Sequence, residues 1–307
     1  MCHKGAHLHL AITGAGGFVG QAVLEALARD ISSYPINELT LVSRSGQFRY
    51  PSSLALRVSI TEQRQDLSQS WSLPTGVTHL LHLAADGSQS PYSYDASRSF
   101  VKMTENLIAW SKRQKGLRRV VHTSSGACSG NSALVGRAFQ RKEAFIEGRL
   151  RAENLLALHV DSSTSLQICR LYTFSGPLML LRKQYAVSNF VATALRNREI
   201  RVRGNPNTVR TYLDQSDLGS WLLRILEVNN PTSSPVLDVG SEVPVKIQEL
   251  AEFVSGETGA AIVYEPTSEV ADVYVPDTTR TRELYRVAEN VVWQDSVSRM
   301  IRLARTT

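Results

Sequence analysis

Through the first half of the chain, short apolar runs alternate with stretches whose apolar residues recur at helical spacing. Runs of strand length fall at "LHLAIT" (8–13), "ELTLVS" (38–43), "LALRVS" (54–59), "THLLHL" (78–83), "RRVVHT" (118–123) and "LQICRL" (166–171). Helices fit between them near 18–30, 97–115 and 140–159, the last with Phe145, Leu150, Leu155 and Leu156 at helical spacing. Strand and helix alternating through most of the first half predict an α/β fold with a doubly wound parallel sheet.

Past about residue 172 the units shorten: a helix near 186–197, the stretch "IRVRGNPNTVRTYLDQSDLGSWLLRILE", a strand at "SPVLDVG" and a helix from Ile247. This change predicts a first domain over 1–172 and a smaller C-terminal substrate lobe over 173–307, some of whose segments return to the first domain. A chain of 307 residues with 42% hydrophobic content can bury the core that such an arrangement needs.

Composition narrows the function classes. No run of about 18 apolar residues occurs, and "MCHKGAHLHLAITG" passes into a strand without a secretory segment, so no membrane partner and a cytoplasmic location are expected. Cys2, Cys128 and Cys169 are too few and scattered for a disulfide framework and read as reduced thiols. The net charge of +6 comes from arginines spread along the whole chain, whereas nucleic-acid binders gather charge in tracts. A small anionic ligand suits it better than nucleic acid. His3, His7 and His9 lie on or just before a strand whose alternate residues point to opposite faces, so no metal site is expected there.

The strongest chemical signal is "LAITGAGGFVGQAVLEAL", which sets Gly14, Gly17 and Gly20 after a strand and at the opening of a helix. Glycines permit the tight turn and close backbone approach, and the helix N-terminus offers free N–H groups to a pyrophosphate. This turn, opening a βαβ unit, makes the first domain a dinucleotide-binding, Rossmann-type one. The second strand ends in "LVSRSG", where an NAD-selective protein usually has an acidic residue for the ribose hydroxyls. Ser43 and Arg44 suit a 2′-phosphate instead, so NADP(H) is favoured over NAD(H).

With the GxxGxxG spacing joined by Asp66-Leu67, "HLAA" (His82 to Ala85) and "VVHTSSGACSG", the chain resembles the extended short-chain dehydrogenases/reductases of the NAD-dependent epimerase/dehydratase type. The likeness runs from about residue 8 to about residue 290. It implies cofactor contacts from Gly14, Gly17, Phe18, Gly20, Ser43 and Arg44, an adenine contact at Asp66 and Leu67, and a wall at Leu83, Ala84 and Ala85. It also implies a catalytic hydroxyl at Ser125, or at Ser124, after the fifth strand. "CRLYTFSGP" and "VRTYLDQSDLG" resemble the family's substrate segments, placing Thr173 near a sugar and Arg210 at a nucleotide-sugar diphosphate. An arginine can grip phosphate oxygens in bidentate fashion, though a salt bridge between lobes is the other reading of Arg210. Helices near 97–115 and 140–159 would form a homodimer interface, as they often do in that family.

One helix departs from the pattern. Family members carry Tyr-x-x-x-Lys on the helix beginning near 140, followed after three residues by a glutamate; counting back from Glu153 puts Arg149 at the lysine and Phe145 at the tyrosine. The tyrosine exchanges a proton with substrate while lysine lowers a phenol pKa that starts at about 10. Phenylalanine has no proton to exchange, and arginine can hold the nicotinamide ribose but is a poor proton shuttle. Ser129 and Ser175 stand where family tyrosines are frequent, and Asp238 where asparagine is common. Lys142, Tyr92, Tyr94 and Tyr172 are the substitutes within sequence reach. Two readings follow: an NADP(H)-dependent oxidoreductase or epimerase/dehydratase with an atypical site acting on a nucleotide-linked sugar, or an impaired NADP(H)- or ligand-binding module.

Overall fold

The computed structural model of the protein describes residues 8–85, 92–129, 142–181, 185–228 and 235–306. Among them, seven strands make one parallel sheet: β1 (Leu8–Thr13), β2 (Ile36–Ser43), β3 (Ser59–Arg64), β4 (His79–His82), β5 (Arg119–Ser125), β6 (Ser165–Leu171) and β7 (Val236–Val239). Their order is β7-β6-β5-β4-β1-β2-β3, so the winding reverses between β1 and β4. In open α/β sheets a ligand crevice lies at such a reversal, outside the carboxyl ends of the strands.

The helices among the described residues are α1 (Phe18–Arg29), α2 (Ser52–Ala55), α3 (Tyr94–Ser111), α4 (Glu143–His159), α5 (Ala186–Asn197), α6 (Gln215–Glu227), α7 (Ile247–Thr258), α8 (Thr279–Tyr285) and α9 (Trp293–Thr306), and three short strand pairs lie outside the main sheet: Phe174–Ser175 with Leu213–Asp214, Val209–Arg210 with Val245–Lys246, and Glu199–Val202 with Ala261–Tyr264. Leu24 and Leu27 of α1 share a core with Leu222 and Ile225 of α6 and with Ile12 and Leu41 of the sheet. Phe100 and Leu107 of α3 share another with Ala152 and Leu156 of α4 and Leu80 and Val120. Strands covered on both faces read as continuous apolar runs, which is why β1, β4 and β5 stand out in the sequence. A third core gathers Val187 and Phe190 of α5, Leu250 and Val254 of α7 and Met300 and Ile301 of α9.

One predicted strand is displaced. "LALRVS" (54–59) is mostly the end of α2 and a loop, and the strand is β3, "SITEQR". Leu54 and Val58 are buried, but as packing from a helical turn and its exit, while β3 itself is largely exposed. A polar, charged strand is expected at a sheet edge, where apolar residues would invite pairing with another chain. The third helix boundary also moves: α3 starts at Tyr94 because Ser93 accepts a hydrogen bond from the Ala96 N–H at 3.1 Å and caps it.

His9 is buried on β1, 2.7 Å from Thr40 Oγ1 and 3.3 Å from Glu38, while His3, His7 and Cys2 fall outside the described residues. Among the described residues there is no cluster of acids, histidines and cysteines able to hold a metal ion, and no helix long and apolar enough to cross a membrane. Cys128 and Cys169 are buried free thiols, pushed by burial up to about 11 and about 12.

His82 of β4 and His122 of β5 stack with ring centroids 5.0 Å apart in the sheet, and Thr13 Oγ1 lies 2.6 Å from His82 Nδ1. Burial holds both neutral, lowering His82 from 6.5 to about 3 and His122 well below its ordinary value. The unfolded chain therefore binds more protons once the pH drops below about 6.5, and stability falls from there toward the folded pKa values. His122→Phe is expected to recover about 2 kcal/mol of the stability lost between about pH 7 and about pH 5, read from urea unfolding at both.

Candidate active site

The chain leaves β1 at Thr13 and turns at Gly14, whose φ of +74° only glycine adopts without strain. A Cβ there would fall 2.8 Å from the Ala84 nitrogen and the Leu83 carbonyl, so the turn lies directly on the backbone that leaves β4. Gly17 N–H donates to Gly14 O at 2.9 Å and closes the turn, and α1 begins at Phe18. The helix has no side-chain cap and no acid in its first turn, so no residue of that turn opposes the positive end of its dipole. This cradle, which a Cβ would fill, fits a dinucleotide pyrophosphate.

Beside it, Ser43 is buried at the tip of β2 with its hydroxyl 3.1 Å from that of Ser45, and Arg44 is exposed just beyond. Arg64, at the end of β3, donates to the Arg44 carbonyl at 3.3 Å and fixes the loop. Asp66 accepts from Ser68 N and Oγ at 3.0 and 2.7 Å, while Asn106 of α3 donates to the Leu67 carbonyl at 2.9 Å.

Ser124 and Ser125 end β5, two strands from the glycine turn. Ser125 Oγ accepts from Ala127 N at 3.2 Å and caps the single turn Gly126–Cys128. Gly126 leaves space for Tyr172, since a Cβ would fall 2.5 Å from the Tyr172 ring. Tyr172 donates to Asp238 at 3.0 Å, as does Ser129, and burial raises the Asp238 carboxyl above its usual range. The Tyr172 ring lies 4.6 Å from that of Tyr274, whose hydroxyl burial pushes above its ordinary pKa.

Helix α4 packs behind this loop. Phe145 lies against Ala127, Cys128 and Ile146, with the Tyr92 ring edge-on at 5.4 Å. The Arg149 guanidinium sits 3.4 Å from the centre of the Phe100 ring and 4.9 Å from that of Phe145. One turn on, buried Glu153 accepts two hydrogen bonds from Arg170 of β6, at 3.0 and 2.6 Å, and this fork sets the height of α4 on the sheet. Lys142, the N-cap of α4, has its ammonium 5.9 Å from the Tyr92 ring centre; burial lowers its pKa and Arg210 lowers it further. Tyr94 is exposed at the start of α3.

On the opposite side, Arg210 pairs with Asp272 at 2.5 Å and lies 5.8 Å from the centre of the Tyr274 ring. Val209 N–H donates to Asp272 O at 2.8 Å and Tyr274 N–H to Val209 O at 3.1 Å, so the two segments travel as one. The Thr173 carbonyl accepts from Leu213 N at 3.1 Å, which ties the substrate-side stretch 209–214 to the exit of β6. Ser175 is turned away, its hydroxyl donating to Ser296 at 2.8 Å. The structure thus gathers Ser125, Phe145, Lys142, Arg149 and Arg210 around one region and adds Asp272, Asp238 and Tyr274, which sequence reasoning missed as site residues. No local motif marks Tyr274, because a short pairing with Val209 brings it in.

A parallel sheet that reverses at β1 and β4, with a glycine turn at the reversal, defines the dinucleotide-binding α/β class. Residues 10–240 match the model of the NAD dependent epimerase/dehydratase family, and the chain belongs to that family. It is 24% identical over 318 residues to UDP-glucuronic acid decarboxylase 4 of Arabidopsis thaliana, covering 96% of this chain and 68% of the relative. UDP-glucuronic acid decarboxylase 6 of the same plant is 25% identical, with 95% and 85% covered. Among solved structures, MoeE5 in complex with UDP-glucose and NAD superposes with a TM-score of 0.74 at 21% identity, covering 97% of this chain and 99% of that one. A mutant UDP-glucuronic acid 4-epimerase from Bacillus cereus, bound to a fluorinated UDP-sugar and NAD, gives 0.78 at 17% identity over 97% and 99%. These likenesses carry the fold.

Arg170→Leu is expected to cost about 3–5 kcal/mol in urea unfolding, because Glu153 would keep a buried charge without its partner. The paired change Arg170→Leu with Glu153→Leu is expected to cost less than the single one.

Proposed function

We propose that the protein is an NADP(H)-dependent oxidoreductase or epimerase/dehydratase that acts on a nucleotide-linked sugar from an atypical active site. One observation carries this reading: the glycine turn at β1 and β4, the end of β5 with Gly126 against Tyr172, and the Arg210–Asp272 pair beside Tyr274, whose ring lies on Tyr172, follow one another across the sheet tips. Residues 1–172 supply the dinucleotide side and residues 173–307 most of the substrate side.

In this reading Gly14, Gly17, Phe18 and Gly20 hold the pyrophosphate, Ser43 and Arg44 the ribose 2′-phosphate, Asp66 and Leu67 the adenine, and Leu83, Ala84 and Ala85 line the wall. The bound dinucleotide supplies the hydride acceptor or donor. Ser125, with Ser124 behind it, polarises the reacting oxygen, and Arg149 steadies the nicotinamide ribose. Arg210, already oriented by Asp272, meets the diphosphate, and Thr173 borders the sugar. The UDP-sugar chemistry printed for the Arabidopsis relatives and for MoeE5 supports the choice of substrate class. Helices α3 and α4 would pair with their copies in a homodimer.

A second reading, a ligand-binding module without chemistry, is favoured by one feature. Arg149 rests on the Phe100 and Phe145 rings, so this part of α4 presents aromatic faces where the family has a phenol beside an ammonium.

NADPH is expected to bind about tenfold more tightly than NADH, and Arg44→Ala to remove the difference; about 1.4 kcal/mol, one charged hydrogen bond, separates the two. Fluorescence titration of both nucleotides checks this, and equal affinities in the wild type would overturn the NADP(H) preference. Incubation with UDP-glucuronic acid and either oxidised dinucleotide, followed by mass analysis, separates the two readings. A new sugar product supports the enzyme, and bound but unchanged ligand supports the module.

A further inference from the structure

We infer that Asp238 is a positioning residue: its single carboxylate clamps the turn that presents Ser125, at Ser129 directly and at Gly126 through Tyr172. The two oxygens are used separately. Ser129 Oγ donates to Asp238 Oδ1 at 3.0 Å, and the Tyr172 hydroxyl donates to Oδ2 at 3.0 Å. Ser129 closes the turn, its N–H donating to the Gly126 carbonyl at 3.0 Å, while Ser125 Oγ accepts from Ala127 N at 3.2 Å and opens it. Tyr172 is enclosed between two glycines. A Cβ on Gly126 would fall 2.5 Å from the Tyr172 ring atom Cδ2, and one on Gly240 would fall 2.9 Å from the Tyr172 Cβ.

The carboxylate is itself fixed. β7 carries it in register with Arg170 of β6, and the Tyr172 N–H donates to the Val239 carbonyl at 3.0 Å. The Thr281 hydroxyl of α8 donates to the Asp238 carbonyl at 2.7 Å. Arg170 Nη1 reaches the Ser129 hydroxyl at 3.5 Å, so that oxygen accepts from Arg170 and gives its proton to Asp238. Glu153, Arg170, Ser129, Asp238 and Tyr172 thus join α4, β6, the turn after β5 and β7 in one run of polar contacts. Hydrogen bonds to an ionised acceptor are about twice as strong as neutral ones, which suits a group that must hold a short turn still. Asparagine preserves the arrangement, its amide oxygen accepting from one hydroxyl and its NH2 donating to the other once that hydroxyl rotates. Alanine preserves neither bond. Asp238 acts through the backbone of 125–129 and not on substrate, and its consequence for turnover rests on the enzyme reading above.

Cys128, buried in the same turn, reports on the clamp without any ligand. Native alkylation with N-ethylmaleimide, followed by peptide mass so that each thiol is read separately, compares Cys128 with Cys169, which is buried in β6. Asp238→Ala is expected to raise the rate at Cys128 about tenfold or more, the equivalent of one lost hydrogen bond to a charged group, with Cys169 unchanged. Asp238→Asn is expected to stay within about threefold of wild type, because both contacts survive. Tyr172→Phe is expected to speed Cys128 in the wild-type background and to add nothing to Asp238→Ala, since both remove the same bond. If Asp238→Ala does not fold, Ser129→Ala combined with Tyr172→Phe removes the two donors instead and is expected to give the same rise. In turnover of UDP-glucuronic acid with oxidised dinucleotide, Asp238→Ala is expected to lower kcat about tenfold or more with KM within about threefold, and Asp238→Asn to recover it. A Cys128 rate that is unmoved in Asp238→Ala, that rises only in step with Cys169, or that is as high in Asp238→Asn overturns the clamp. A released Cys128 with unchanged kcat overturns the positioning of Ser125. A wild type that binds both ligands without forming product overturns the enzyme reading, and Cys128 alone then decides the clamp.

Discussion

The constraint on which the site depends is the approach of the Gly14 turn to the backbone leaving β4, where no side chain fits between the two. It fixes the tips of β1 and β4 side by side at the sheet reversal, and β5 follows in register, His82 opposite His122. Ser125 thus emerges at a set distance from the cradle, on a rigid strand rather than a loop. Functional groups carried by strand ends are held more closely than groups on free loops.

The second determinant is electrostatic. Glu153 and Arg170 are both largely buried, so neither charge is affordable without the other, and their two hydrogen bonds pin α4 to β6. The helix keeps its place although the residues at 145 and 149 cannot exchange protons at neutral pH. Packing of Ala152 and Leu156 against α3 and the charge pair hold the helix, and neither depends on the side chains at 145 and 149.

How much of this was legible depends on whether the cause is local. β1, β4 and β5 declare themselves because burial on both faces demands apolar runs, and the glycine turn because its spacing reflects a backbone shape. β3 does not, because an exposed edge strand needs polar residues, and the apolar Leu54 and Val58 that mimic a strand are packing from a helical turn. Ser125 and Arg210 could be proposed from short motifs. Asp272 and Tyr274 could not, since their placement rests on hydrogen bonds to Val209, far away in the chain. Nor does the sequence around 238 announce that its carboxylate gathers Ser129 and Tyr172.

The same remote pairing has a consequence in time. Residues 13 to 84 carry both halves of the glycine turn's contact, a comparatively local loop to close, whereas Tyr274 reaches Tyr172 only after the chain has run through α5, α6, β7 and α7. Closing long loops is slower and entropically dearer than closing short ones. During synthesis, the glycine turn is therefore assembled well before the Tyr274 ring arrives. A nascent or C-terminally shortened chain holds the glycine turn and Ser125 without the ring contact between Tyr172 and Tyr274.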